Sequence, residues 1–464
     1  MQPTKLSNVL AILFSIMALW SCKKEVTTAP VPLDEQAAAS GKKPLDPGFA
    51  ENDMVMYWND KTATVLKDGI NQPIRSRLFA IIQIAVYDAL NNIKPKYQRY
   101  ALLNERTQFA SPDAAVASAA YWAIKGLNRQ GSFPVDTWYN ESLATIPDGE
   151  SKELGKTLGK HAAAAIIANR ANDGFSQTIL NSTTPPNGVN PGEYRSTITA
   201  VNWVPTQTLF PFRIYYNWGT VVKPYVAESN SQFRPQGPFS VSSIEYANDF
   251  NEVKSKGARV GGTLTEEEDK AGKFWTDTRS SYFLNLFVRK SIENKKLDAW
   301  KTARLFALMH ASVAETINSL FDAAYYYYYW RPETAIRLAA ADGNNNTQAD
   351  PDWLPVASEG GPTVSPPLPG YPSSFASFGG ATAETLRLFF GTDETSIDIT
   401  TTSINPIVTE PRPSYHFSTF SSIATSNSNA MIYNGWDFRK SVVDGEKMGR
   451  QVAAYVFSHH FKEE

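Results

Sequence analysis

Residues 296–332 read KLDAWKTARLFALMHASVAETINSLFDAAYYYYYWRP. Leu305, Leu308, Val313, Ile317, Leu320 and Phe321 fall on one stripe of a helix, and no glycine or proline interrupts the run before Pro332. The pattern predicts one long helix from Lys296 to about Tyr328. Other segments repeat this period. Arg77 to Ile93 places Leu78, Ile81, Ile82, Ala85, Val86, Ala89 and Leu90 on a second stripe. Ser111-Pro112-Asp113 combines a serine cap, a proline at the first helical position and an acidic first turn. Ser151 to Asn169 continues as an alanine-rich helix, ended by Asp173-Gly174. Ser242 with Glu245 and Thr265 with Glu268 have the spacing of capping boxes. A helix from Ser374 or Phe375 to Phe390 and another from Asp444 to Phe461 complete the set. Strand-like alternation is scarce, so the chain reads as all-α, a multi-helix bundle of about ten or more helices. Residues 177–238, rich in Pro, Asn, Thr and Trp, read as a long irregular excursion over its surface.

With 464 residues and 42% apolar content, the chain can bury a sizeable core. A net charge of -2 and a pI near 6.3 give no global attraction to nucleic acid, and no nucleic-acid partner is expected. Cys22 is the single cysteine, so no internal disulfide can form. It follows Lys5, an apolar run from Val9 to Leu19, and Leu19-Trp20-Ser21. The run is shorter than the roughly 20 residues a spanning helix needs. The layout resembles a lipoprotein signal peptide in which Cys22 is acylated; an ordinary signal peptide with an incidental cysteine is the alternative. The expected division is a signal peptide over 1–22, a flexible linker over 23–52 and a single helical domain over 53–464. That makes the protein an exported, membrane-anchored lipoprotein, held to the membrane through its lipid.

Three separated segments carry the chemistry. Phe321-Asp322-Ala323-Ala324 leads through Tyr325–Tyr329 to Trp330-Arg331-Pro332. Tyr371-Pro372-Ser373-Ser374-Phe375-Ala376-Ser377 is followed by Gly379 and Gly380. Ile432-Tyr433-Asn434-Gly435-Trp436-Asp437-Phe438-Arg439 precedes Gly449-Arg450-Gln451-Val452-Ala453. In order and separation, and together with Ile84-Ala85-Val86-Tyr87-Asp88-Ala89 and Ile146-Pro147-Asp148-Gly149, they resemble the pocket motifs of the vanadium-dependent haloperoxidase and type 2 phosphatidic acid phosphatase superfamily, in its bacterial haloperoxidase-like branch.

The resemblance implies a helical bundle whose three motifs converge on an oxyanion such as phosphate or vanadate. In that superfamily one lysine and two arginines offset the anion's charge, and serine and backbone N–H groups add hydrogen bonds. One histidine lies on the axis of the central atom, and a second acts as general acid–base. Here Arg331 stands at the first arginine's position and Ser373 at the serine's. Ala324, seven positions before Arg331, stands at the lysine's, and Met431 at the second arginine's. Ser374 replaces the glycine before the acid–base histidine, which is itself Phe375. Asp437 takes the axial histidine's place, framed by Tyr433, Gly435, Phe438 and Arg439. Two fixed positive charges and both imidazoles are thus missing, and a carboxylate is gained. An oxyanion beside Asp437 would meet repulsion of order several kcal/mol at short range and reduced dielectric. Vanadate is therefore expected to be lost as cofactor, with Arg331 and Ser373 left as oxyanion-binding residues. Ala324, Arg331, Ser373, Phe375, Met431 and Asp437 are expected to line one cavity.

Of the histidines, His310 reads as a core residue, about 21 Å along the helix from Ala324. His459 and His460 read as a solvated end. His416, in a loop-like segment, is the one candidate substitute. The five tyrosines could form a stacking surface, but they read better as a continuation of the long helix, with some rings in the core and others at the pocket mouth. Asp342-Gly343-Asn344-Asn345-Asn346 resembles the start of a calcium loop, yet lacks the glycine at its sixth position, so a polar turn is preferred. Glu266-Glu267-Glu268-Asp269 suits the first turn of a helix without any ligand.

The leading expectation is a cell-envelope lipoprotein whose haloperoxidase-like pocket is largely degenerate, with a binding or scaffold role toward an unknown small molecule or anion. The alternatives are an active haloperoxidase or acid phosphatase with a rearranged pocket, using Arg331, Ser373, Asp437 and His416, or a different hydrolase with Asp437 as base. The membrane reading has a direct check. Mass spectrometry of the mature protein should find an acylated Cys22 at the N-terminus, and Cys22→Ala should release the protein from membranes; a retained Ser21 contradicts it.

Overall fold

The computed structural model describes residues 53–67, 70–180, 186–195, 215–275, 280–293, 295–356, 365–400 and 414–464. The signal segment, Cys22 and the linker lie outside the described residues. Among those described are fifteen α-helices, one 3-10 turn and one two-stranded antiparallel sheet. The all-α fold expected from the periodicity is the fold observed. No described helix is long and apolar enough to cross a membrane.

The long helix runs from Ala299 to Tyr327, and Asp298 caps it by accepting from the Lys301 N–H at 2.8 Å. Its stripe is buried almost without a break from Leu305 to Leu320, which is why the sequence period was so clear. It packs against Gln72–Ile93, and also against Ser374–Phe390 and Arg439–His459. Pro112–Gly126 and Glu150–Asn169 pack on each other beside Gln72–Ile93. The long helix therefore joins an N-terminal group of helices to a C-terminal one.

Of the expected surface excursion, residues 181–185 and 196–214 lie outside the described residues, and buried polar groups tie Lys223 to Val226 to this frame. Glu315 on the long helix accepts from the Tyr225 and Val226 N–H groups at 2.6 and 3.1 Å, and burial pushes its carboxyl up to about 7. Arg170 donates to the carbonyls of Pro224 and Lys223, and together with Arg77 it holds the Asp173 carboxylate. Backbone that cannot form a helix ladder is satisfied this way without reaching water.

Several local expectations change. The cap before Tyr246 is Ser243, whose Oγ accepts from the Tyr246 N–H at 3.1 Å; Ser242 instead bonds Ser240. The last helix begins at Arg439 rather than Asp444, because the distant Asp249 carboxylate accepts from the Lys440 N–H at 2.7 Å and completes its first turn. Tyr325–Tyr327 remain helical, but Tyr328 takes the left-handed conformation at φ 51° and ends the helix. Tyr326 is exposed and Tyr329 buried. Glu394–Thr400 and Ser414–Thr419 pair as a hairpin, so His416 lies on a strand and not in a loop. Thr265 and Glu268 form the reciprocal box expected of them, and Asp342 closes a polar turn by accepting from Asn344 and Thr347.

The Ser374–Phe390 and Arg439–His459 helices meet backbone to backbone. A Cβ added at Gly449 would lie 1.9 Å from the Ser377 carbonyl oxygen. This seam carries Ser373 to the start of the last helix, where its N–H donates to the Ser441 carbonyl at 3.0 Å. Gly449→Ala must force the helices apart and should cost about 1–3 kcal/mol, the range of overpacked cores. A urea titration should show a lower midpoint with an unchanged slope; an unmoved midpoint contradicts the seam.

Candidate functional site

Three chain reversals deliver the motif residues to one place. After the long helix ends at Tyr328, the chain runs extended to Arg331, and Pro332 starts a short helix to Leu338. Pro366-Pro367-Leu368-Pro369 runs beside it, tied by the Gly370 N–H to the Tyr329 carbonyl at 2.7 Å. The third reversal follows Phe420–Tyr433. There Gly435 adopts φ 74°, and a Cβ added to it would lie 2.6 Å from the Gly257 carbonyl oxygen and 2.9 Å from Pro355, a conformation and closeness that exclude a side chain. The turn draws the Trp436 and Asp437 N–H groups to the Met431 carbonyl at 2.9 and 3.3 Å and points the Asp437 side chain inward.

At the junction the Asp437 carboxylate is held from two sides. Its Oδ1 accepts from Arg331 Nη1 at 2.6 Å, and its Oδ2 accepts from Ser373 Oγ at 2.7 Å. Arg331 also donates to three carbonyls: Nε to Leu368 at 2.7 Å, Nη1 to Trp436 at 3.0 Å, and Nη2 to Pro369 at 3.5 Å. Ser373 is also the N-cap of the Ser374–Phe390 helix, its Oγ accepting from the Ala376 N–H at 3.4 Å. Arg331, Ser373 and Asp437 are 2%, 1% and 1% exposed, so water does not reach the set.

Burial pushes the Asp437 carboxyl above its ordinary range, while the Arg331 guanidinium and the Ser373 hydroxyl pull it back. Among the described residues Arg331 has no second carboxylate partner, so Asp437 supplies its counter-charge. Such a pair adds little net stability over an apolar substitute, yet losing one partner strands the other charge.

The remaining sequence candidates are placed unevenly. Phe375, half-buried, sets its ring 5.6 Å from that of Trp436, and its carbonyl accepts from Asn427. Met431 is fully buried and reaches the site through its carbonyl. Ala324 is fully buried at the end of the long helix, where its carbonyl accepts from the Tyr328 N–H at 2.9 Å. Ser374 is buried in the first turn of its helix. Arg331, Ser373 and Asp437 meet in a closed ion pair, the Met431 carbonyl touches Asp437 and Phe375 lies against Trp436, whereas Ala324 bonds Tyr328 at the end of the long helix. A surface groove of about 420 Å³ is lined instead by Arg106, Thr107, Gln108, Phe109 and Leu154.

His416 faces solvent on the hairpin, with its Nδ1 2.9 Å from Asp398 Oδ1, and makes no contact with Asp437. His310 bonds Asn285 at 2.9 Å in the core, where burial pushes its imidazole down to about 3. His161 pairs with Glu105, His459 stacks on Tyr455 at 3.8 Å, and His460 lies near Tyr100. None of the five imidazoles touches Arg331, Ser373 or Asp437.

Sequence reading missed the carbonyls of Leu368, Pro369 and Trp436. The proline run was their available signal, since extended proline-rich backbone forms no internal hydrogen bonds and leaves its carbonyls to outside donors. It also missed Tyr371, whose hydroxyl donates to Asp444 while Lys440 bridges the same carboxylate at 2.9 Å.

Comparison with known proteins agrees with this architecture. The model of the family described as the VCPO second helical-bundle domain matches residues 304–463. A vanadium chloroperoxidase of Curvularia inaequalis is 22% identical, the match covering 74% of this chain and 67% of that protein. Among solved structures, a bacterial vanadium-dependent iodoperoxidase superposes with a TM-score of 0.69 at 20% identity, over 91% of this chain and 100% of the other. An apo-type bacterial vanadium-dependent chloroperoxidase gives 0.64 at 16% identity, over 84% and 94%. Residues 304–463 thus match the VCPO second helical-bundle domain, and the described chain shares the fold of the bacterial vanadium-dependent iodoperoxidase and chloroperoxidase structures.

Proposed function

We propose that this chain is a cell-envelope lipoprotein whose haloperoxidase-like domain does not run the superfamily's chemistry and acts as a binding or scaffold module. The observation that carries the reading is that no imidazole stands at the motif junction. A phenyl ring tilted against Trp436 occupies one histidine position and an ion-paired carboxylate the other. Phenylalanine has no proton to exchange and no lone pair to offer. The donor set does not fit vanadate either: Ala324 and Met431 put apolar, fully buried side chains where cations are needed. An unpaired cationic head at either position would be costly to bury. The signal-like segment ending at Cys22 supports the envelope placement.

A second reading draws on the Ser373–Asp437 hydrogen bond, which has the form of a nucleophile oriented by a base. Against it, both groups are shielded from solvent and the carboxylate is engaged by Arg331.

Purified protein, assayed with vanadate, bromide and hydrogen peroxide and separately with a chromogenic phosphate monoester, should give rates equal to the buffer blank. Turnover above the blank that disappears in Ser373→Ala or Arg331→Ala would show a rebuilt active site and reverse the reading.

A further inference from the structure

We infer that Asp437 is this protein's built-in ligand: its carboxylate occupies the Arg331–Ser373 cradle and thereby excludes external oxyanions from a site that still has the donors to bind one. The inference rests on the reading that the pocket does no chemistry, and it names what the pocket holds instead.

The geometry is that of anion recognition turned inward. A carboxylate presents two oxygens, each a strong acceptor, to a charged N–H donor and a hydroxyl. Here each oxygen takes one of them, at 2.6 Å from Arg331 Nη1 and 2.7 Å from Ser373 Oγ. These are charge-assisted lengths, shorter than neutral hydrogen bonds. The cradle is also built rigidly. Arg331 is fixed by three backbone carbonyls, and Ser373 by its cap to Ala376 and its N–H bond to Ser441. Asp437 is positioned from a different segment, by the turn at Gly435. Removing its side chain therefore leaves the donors in place, still buried and no longer neutralised. A small oxyanion that offers two acceptors to one guanidinium N–H and one hydroxyl can replace it. Formate and acetate match it as carboxylates, and phosphate offers the same pair of acceptor oxygens. In the native chain any such ion must displace a group already tethered in the site. The fraction of molecules able to bind is then small, and apparent affinity falls in proportion.

The account predicts a site revealed by subtraction. Asp437→Ala should melt below the native protein, because Arg331 loses its counter-charge. Sodium formate and sodium phosphate should then raise its melting temperature saturably, beyond a sodium chloride control of equal ionic strength, and calorimetry should report one site per chain. The native protein should bind either ion about tenfold or more weakly. Arg331→Ala with Asp437→Ala should not respond. Should Asp437→Ala fail to fold without added anion, refolding yield in formate against chloride becomes the readout, with Asp437→Ser as a second variant that retains a polar group. Equal anion affinity in native and variant protein, or no anion response in either variant, overturns the inference. The outcomes remain separable from those for function: turnover by the native protein sinks the non-catalytic reading whatever the variants bind, and an inert native protein with silent variants sinks this inference alone.

Discussion

A buried guanidinium must have an anion, and the site is arranged around that requirement. Arg331 lies at 2% exposure with three carbonyls and one carboxylate around it, and only Asp437 among its partners carries charge. In a pocket that binds oxyanions the ligand can supply the compensating charge. Here the chain supplies it, from a residue 106 positions away in sequence. Ser373 then completes the carboxylate's second oxygen, and the three motif segments are joined by one small hydrogen-bonded set.

The rest of the frame delivers those three groups. The glycine seam brings the Ser374–Phe390 helix against the last helix, which sets Ser373 opposite residue 437. Gly435 reverses the chain after Phe420–Tyr433 and turns Asp437 inward. The end of the long helix at Tyr328 frees Arg331 to leave the helical axis. On the other side, Glu315, Arg170 and Arg77 bind an irregular segment to the N-terminal helices with buried polar contacts. Fold and site thus use the same device, in which charged side chains satisfy backbone that helices leave unpaired.

The fold was legible in the sequence because burial of the long helix is one-sided and extended, so its period survives in the residues from Leu305 to Phe321. Caps with a side-chain acceptor, such as Ser111 and Thr265, were equally visible. The start of the last helix was not, because its acceptor, Asp249, lies 191 positions away. Ser242 and Ser243 offer the same cap chemistry one residue apart, and only the path of the chain decides between them. The hairpin escaped because its strands are short and its alternation is shared with ordinary loops. At the site, motif spacing placed Arg331, Ser373 and Asp437 together. Charge counting treated Asp437 as a group that repels an incoming anion, and not as the anion itself. That distinction depends on a distance of 2.6 Å, which no spacing encodes.

The central claim is that the cradle is occupied from within. Its most direct test is a crystal of the native domain soaked in vanadate, with phosphate as a parallel soak, examined for difference and anomalous density at the Arg331–Ser373–Asp437 junction. The account predicts an unchanged contact between Arg331 and Asp437 and no tetrahedral or trigonal density beside them. Density for an oxyanion bonded to Arg331 and Ser373, with the Asp437 side chain swung away, would contradict it.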